Sequence, residues 1–117
     1  MNVNQDIQKL EDITGLEVSP DIYKGGSDRY IVYVYTDERS VFWGDDKVLE
    51  DSVTIQISLY TPPEFNHMNL KHMIRDYLER LGEVNDISSW LETYTSKNNL
   101  EATIRHTTFN VTITKAR

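Results

Sequence analysis

The chain has 117 residues, a formal net charge of −7, an aromatic content of 10% with seven tyrosines, and no cysteine. That length suits one domain over residues 1–117 with a core of its own, and the missing cysteine excludes disulfide and thiolate chemistry. The acidic balance argues against specific nucleic-acid binding, which needs concentrated Lys and Arg; no apolar run approaches the roughly 18–20 residues that span a bilayer, so no membrane is expected.

The opening MNVNQDIQKLED lacks a basic segment followed by an apolar one, so an export signal is not expected. Residues Asn4 to Ile13 instead read as a short helix with Ile7, Leu10 and Ile13 on one face and Gly15 as its stop. Leu16 to Asp28 is loop-like, with turn signals at Ser19-Pro20-Asp21 and Gly25-Gly26-Ser27. Arg29 to Thr36 is β-branched and aromatic on both faces, which predicts a strand covered on both sides. Asp37 to Ser40 reads as a turn, Val41-Phe42-Trp43 as the start of a second strand, and Gly44-Asp45-Asp46 as its interruption.

Asp51 to Gly82 is where the hydrophobic period changes. Val53, Ile55, Ile57 and Leu59 alternate with polar residues, the period of a strand with one buried face. Pro62-Pro63 then ends the ladder, because proline has no N–H to give it. From Asn66 to Leu81 the apolar positions (Leu70, Met73, Ile74, Tyr77, Leu78, Leu81) are spaced for one helix face, with Gly82 as the stop. Such a stripe is best buried against the neighbouring sheet, at about 1.5–3 kcal/mol per side chain before entropy is subtracted. The opposite helix face (Lys71, Arg75, Asp76, Glu79, Arg80) mixes both signs, as a solvated surface does.

Ser89 to Thr95 and Leu100 to Ile113 read as a closing hairpin around Ser96-Lys97-Asn98-Asn99, where asparagine tolerates positive φ. Phe109, Val111 and Ile113 alternate on one parity, whereas Leu100, Ala102 and Ile104 alternate on the other. A bulge near Arg105 to Thr107 would reconcile the halves. The predicted fold is α+β, a mostly antiparallel sheet of order α-β-β-β-α-β-β with the amphipathic helix on one face.

Few residues request chemistry. Asp45, Asp46, Glu50 and Asp51 place four carboxylates in seven residues, a possible divalent-cation ligand set. Their spacing does not fit an EF-hand loop, and a solvated connection between strands is the simpler reading. His67 and His72 are five apart, not at the i, i+4 spacing of paired metal ligands, and His106 stands far away in an ordinary strand. There is no G-x-S-x-G elbow, and Gly25-Gly26-Ser27 lacks the lysine and outer glycine of a phosphate loop. No catalytic residue, metal ligand or cofactor is therefore expected. Tyr33 and Tyr35, on one face of their strand, fit either core packing or contact with a neighbouring subunit better than base stacking, for which basic residues are missing. Trp43 and Trp90 are core residues by default and interface anchors in the alternative.

Taken as a series, Tyr30-Ile31-Val32-Tyr33 before an acidic turn, Phe42-Trp43-Gly44-Asp45-Asp46-Lys47, and Glu50-Asp51 leading to Ile55-Gln56-Ile57-Ser58-Leu59-Tyr60-Thr61 resemble the small head–tail connector proteins of long-tailed bacteriophages and prophages. These are the tail completion, tail terminator or head–tail joining proteins. The resemblance runs from about Tyr30 to Ile113 and rests on structural motifs in a shared order; Trp43-Gly44 stands where that group more usually has an alanine. It implies a non-enzymatic virion protein that assembles as a ring, typically of six copies, where the tail tube meets the head connector. Its partners would be the tail tube protein, the head connector protein and further copies of itself, and it would be made in the host cytoplasm. Under that reading Tyr33, Tyr35, Trp43, Asp45, Asp46, Lys47, Glu50 and Asp51 are candidate subunit or partner contacts, and an acidic ring lumen would let DNA pass without sticking. Two other classes compete: a monomeric α+β adaptor, and a small metal-dependent hydrolase using Asp45, Asp46 and one histidine.

Overall fold

The computed structural model describes residues 3–43, 47–95 and 98–116. It is an α+β domain whose elements run α1 (Val3–Gln8), α2 (Leu10–Thr14), β1 (Val18–Pro20), β2 (Tyr30–Trp43), β3 (Lys47–Thr61), α3 (Met68–Leu81), β4 (Glu83–Thr95) and β5 (Glu101–Ala116). The strands form one sheet of order β1-β2-β3-β5-β4, antiparallel except where β1 runs parallel to β2.

The alternation read at Val53 to Leu59 places Ile55, Ile57 and Leu59 on one sheet face, each fully buried. Their cross-strand partners are Tyr35, Tyr33 and Ile31 on β2 and Val111, Phe109 and Thr107 on β5. All three helices pack on this face. Leu70, Ile74 and Leu78 of α3 and Val3, Ile7 and Leu10 of the N-terminal pair close the core over it. Tyr77 on α3 donates its hydroxyl to the Asp6 carbonyl at 2.7 Å, tying the long helix to α1. The N-terminal helix breaks at Lys9 and ends at Gly15, whose φ of 75° is the left-handed cap that glycine accepts without strain. Gly82 is needed for a different reason. Its backbone is extended, but a Cβ there would lie 2.2 Å from the Thr112 carbonyl oxygen, so only glycine lets the helix end meet β5.

Several local readings change. Val18–Pro20, expected as loop, is a short strand, because Glu17 O accepts from Ile31 N–H and the segment pairs alongside β2. Arg29–Thr36 and Val41–Trp43 belong to one continuous strand; the polar Asp37–Ser40 segment stays paired with β3 through a register shift after Tyr35, where a turn was expected. Pairing with a long partner strand overrides turn propensity here. The closing hairpin begins at Glu83 rather than Ser89, and Asn99 takes the positive φ (58°) expected of its loop. No bulge interrupts β5 near Arg105 to Thr107, where the register with β3 and β4 is continuous. The two apolar parities of β5 instead belong to two faces: Phe109, Val111 and Ile113 lie under the helices, whereas Ala102 and Ile104 lie on the opposite side with His106.

β2 is not covered on both sides. Among the described residues no helix lies over the face that carries Tyr30, Val32 and Val34, and those side chains are half-buried by their neighbours on the sheet and, at Tyr30, by the loop residue Tyr23.

Candidate functional site

The open face is organised by one register line. Tyr30 on β2 pairs with Tyr60 on β3, Tyr60 with His106 on β5, and His106 with Trp90 on β4. Directly opposed residues in adjacent strands share a face and touch, so four aromatic side chains stand in a row across the sheet. The Tyr30 and Tyr60 ring centroids are 5.0 Å apart, Tyr60 and His106 are 4.2 Å apart, and Trp90 meets His106 at 4.5 Å with a 49° tilt. Tyr23, from the loop between β1 and β2, extends the row by stacking on Tyr30 at 3.9 Å. The Tyr23 hydroxyl accepts the Ser27 backbone N–H at 2.9 Å, which folds that loop back against the sheet.

Glu92 stands one position beyond Trp90 on the same face of β4. Its Oε1 accepts from Trp90 Nε1–H at 2.7 Å and from His106 Nδ1 at 2.8 Å. The His106 tautomer with hydrogen on Nδ1 makes that second bond; Nε2 is then buried with no partner among the described residues. The two donors, His106 first and Trp90 second, hold the Glu92 carboxyl below the usual carboxylate range, so it is an anion at neutral pH. Burial pushes the Tyr30 hydroxyl up, and the nearby Tyr60, Tyr94, Tyr23 and Glu92 add to the shift. Burial likewise raises Tyr60, with Glu92 second. Both phenols therefore stay protonated beside a fixed negative charge.

Tyr23, Tyr30, Tyr60 and Glu92 wall a cleft of about 720 Å³ at the end of the open face, closed by Tyr94, Ile104 and the Pro62-Pro63-Glu64 turn. Asp28, Glu64 and Glu92 are among its lining residues, and among the described residues no lysine, arginine or histidine is. Arg29 pairs with Asp28, one of these lining carboxylates, at 3.0 Å and lies 4.3 Å over the Phe65 ring.

The residues singled out from sequence are dispersed by the fold. Tyr33 is 3% exposed, inside the core beneath α1, where its hydroxyl approaches Asn4 Oδ1 and Gln8 Nε2 at 3.4 Å each. It packs within its own subunit. Tyr35 is 38% exposed at the rim of the same face and donates its hydroxyl to Asn4 Oδ1. Glu50 and Asp51 are half-buried on β3, and Ser40 Oγ bonds Asp51 at 3.0 Å across the β2–β3 ribbon. Trp43 and Lys47 close that ribbon as a backbone pair, and their side chains lie outside the described residues, as do Asp45 and Asp46 altogether. His72 is exposed on α3, while His67 precedes that helix, its pKa lowered by burial and by Arg105 and Lys71. Among the described residues no group of three or more His, Cys, Asp or Glu is placed to hold a metal ion, and no helix is long and apolar enough to cross a membrane.

Sequence reading missed the cleft because its members come from four separate segments that only the fold brings together. One signal was present. Ala102 and Ile104 on the wrong parity for the helix-covered core mark a second face worth burying. A scan against protein-family models finds no match for this chain, and a search of curated protein sequences finds none either.

Proposed function

We propose that this chain is a non-enzymatic structural subunit of a long-tailed bacteriophage or prophage, which assembles as a ring and completes the tail where it joins the head connector. The observation that carries the reading is the β2–β3 arm. Beyond the register shift at Tyr35, seven rungs from Asp37↔Thr54 to Trp43↔Lys47 continue the two strands. That is about 20 Å of ribbon at the rise of a β-strand, on a molecule 59 Å long and only 22–27 Å across. β5 accompanies β3 as far as Glu50↔Ala116 and leaves the tip two-stranded. Side chains from Thr36 to Ser40 are exposed. Among the described residues only the last two rungs, Phe42↔Val48 and Trp43↔Lys47, have no third strand beside them; a two-stranded tip is marginal in water by itself and serves best when a neighbour receives it. A ring supplies such a neighbour at every position, and the uncovered sheet face offers each copy a second contact surface.

The same geometry fits the resemblance noted in the sequence: an aromatic strand and a strand ending in Ser58-Leu59-Tyr60-Thr61 form the arm's root. Adding the purified chain to phage tails assembled without it tests the reading. Rings visible at the head-proximal tail end by electron microscopy, with restored joining to filled heads, are the expected outcome. A chain that binds neither tails nor connectors, and leaves joining unrestored, refutes it.

A further inference from the structure

The geometry points to the tyrosine-lined cleft as a binding site for a cationic protein side chain, with the guanidinium of an arginine carried on a partner segment as its occupant. This goes beyond the ring reading and does not depend on it.

The first argument is charge. Glu64 and Glu92 contribute carboxylates, Asp28 a third that Arg29 already pairs, and among the described residues no basic side chain lines the cleft. Arg105, next to Ile104 in β5, faces the other side of the sheet and bonds Ser89 Oγ at 3.2 Å. An anion entering the cleft would meet the negative charge of Glu64 and Glu92, whereas a cation relieves it.

The second is preorganisation. Glu92 Oε1 is already fixed by Trp90 and His106 at 2.7 and 2.8 Å, so the carboxylate cannot rotate freely. Its Oε2 accepts no bond from a described side chain and is the acceptor left for an incoming donor. His106 is only 8% exposed and held between Tyr60 and Trp90, so the support behind Glu92 is rigid. A carboxylate held in place gives an arriving donor a charge-assisted hydrogen bond without first losing its own freedom.

The third is the wall chemistry. Tyr23, Tyr30 and Tyr60 stack in parallel along the cleft, and the half-exposed Tyr94, two residues from Glu92 on the same face of β4, presents an aromatic surface beside the fixed carboxylate. A guanidinium is planar, stacks on tyrosine faces and donates in plane to a carboxylate. An ammonium makes only the point-charge contact. The cleft volume of about 720 Å³ exceeds one side chain and leaves room for the adjoining backbone of the segment that carries it.

The test uses the intact chain and N-acetyl-L-arginine methylamide as the probe, followed by NMR through the Trp90 indole N–H. That proton bonds Glu92 and so reports on the carboxylate. Saturable shifts are expected, with weak affinity on the order of millimolar for one isolated side chain. The neutral isostere N-acetyl-L-citrulline methylamide should bind about tenfold more weakly, and Glu92→Gln should weaken the arginine probe by a similar factor of about ten. Tyr94→Leu, outside the Glu92–His106–Trp90 cluster, should weaken it about threefold through the lost ring face. Unchanged amide dispersion certifies the fold of both variants. Absence of a saturable shift overturns the site, as does equal binding of citrulline. Equal binding of N-acetyl-L-lysine methylamide overturns the assignment to a guanidinium.

Discussion

The two faces of this sheet are built on opposite plans. The helix-covered face carries Ile31, Tyr33, Ile55, Ile57, Leu59, Phe109, Val111 and Ile113, each at most 3% exposed beneath three helices. The open face carries Tyr30, Tyr60 and Trp90, which stay partly exposed, with Ser58, His106 and Thr108 buried between their neighbours along the register. One face removes apolar surface from water by layering. The other does so by stacking rings face to face along the register, which protects the sheet while keeping a surface that can bind. Stability is concentrated on the first face and recognition is available on the second.

That division predicts a graded set of mutational effects. Phe109→Ala, which empties the centre of the covered face, should cost about 3–5 kcal/mol, read as a fall in the urea midpoint at unchanged slope. A smaller loss would mean the covered face is not the core described. Gly82→Ala should cost about 1–3 kcal/mol by forcing α3 away from the Thr112 carbonyl, against the few tenths in the stabilising direction expected where nothing crowds the new methyl. Tyr60→Leu on the open face removes two ring contacts while keeping most of the apolar volume, and should cost about 1–2 kcal/mol. A loss matching that of Phe109→Ala would erase the contrast between the faces.

The smallest effect is a pH dependence. Because hydrogen bonds hold the Glu92 carboxyl below its unfolded value, they contribute stability that is fully present above the unfolded pKa and is lost as pH falls through the folded one. Thermal melts between about pH 5 and pH 3 should therefore decline more steeply for the wild type than for Glu92→Gln. The difference should be a few tenths of a kcal/mol, since the carboxylate is 40% exposed and screened by water.

Much of the covered face was legible in the sequence, because its periods are local. Ile55, Ile57 and Leu59 alternate, Leu70, Ile74 and Leu78 recur at helical spacing, and each pattern lies within one element. The α+β class and the order of elements followed from those periods. The open face was not legible, since Tyr30, Tyr60, His106 and Trp90 meet only through three strand registers that no local pattern encodes. The mistaken bulge in β5 shows the same limit: two apolar parities in one strand imply either a bulge or two buried faces, and pairing decides between them. The continuation of β2 through Asp37 to Ser40 also depended on a partner strand outside the segment. Tyr33 and Tyr35, two residues apart on one face, had the same sequence signature. α1 covers the first and only reaches the hydroxyl of the second.

The central claim is that the arm and the open face make contacts between molecules while the covered face holds the fold. Glu38→Lys with Arg39→Glu reverses two exposed charges on the arm and leaves every core residue in place. The most direct measurement is the native mass of this variant and of the wild type, taken together with their urea midpoints. The account predicts a multimeric wild type and a variant shifted to monomer, with stabilities equal to within about 0.5 kcal/mol. A variant that assembles like the wild type, or that loses assembly only by unfolding, would contradict it.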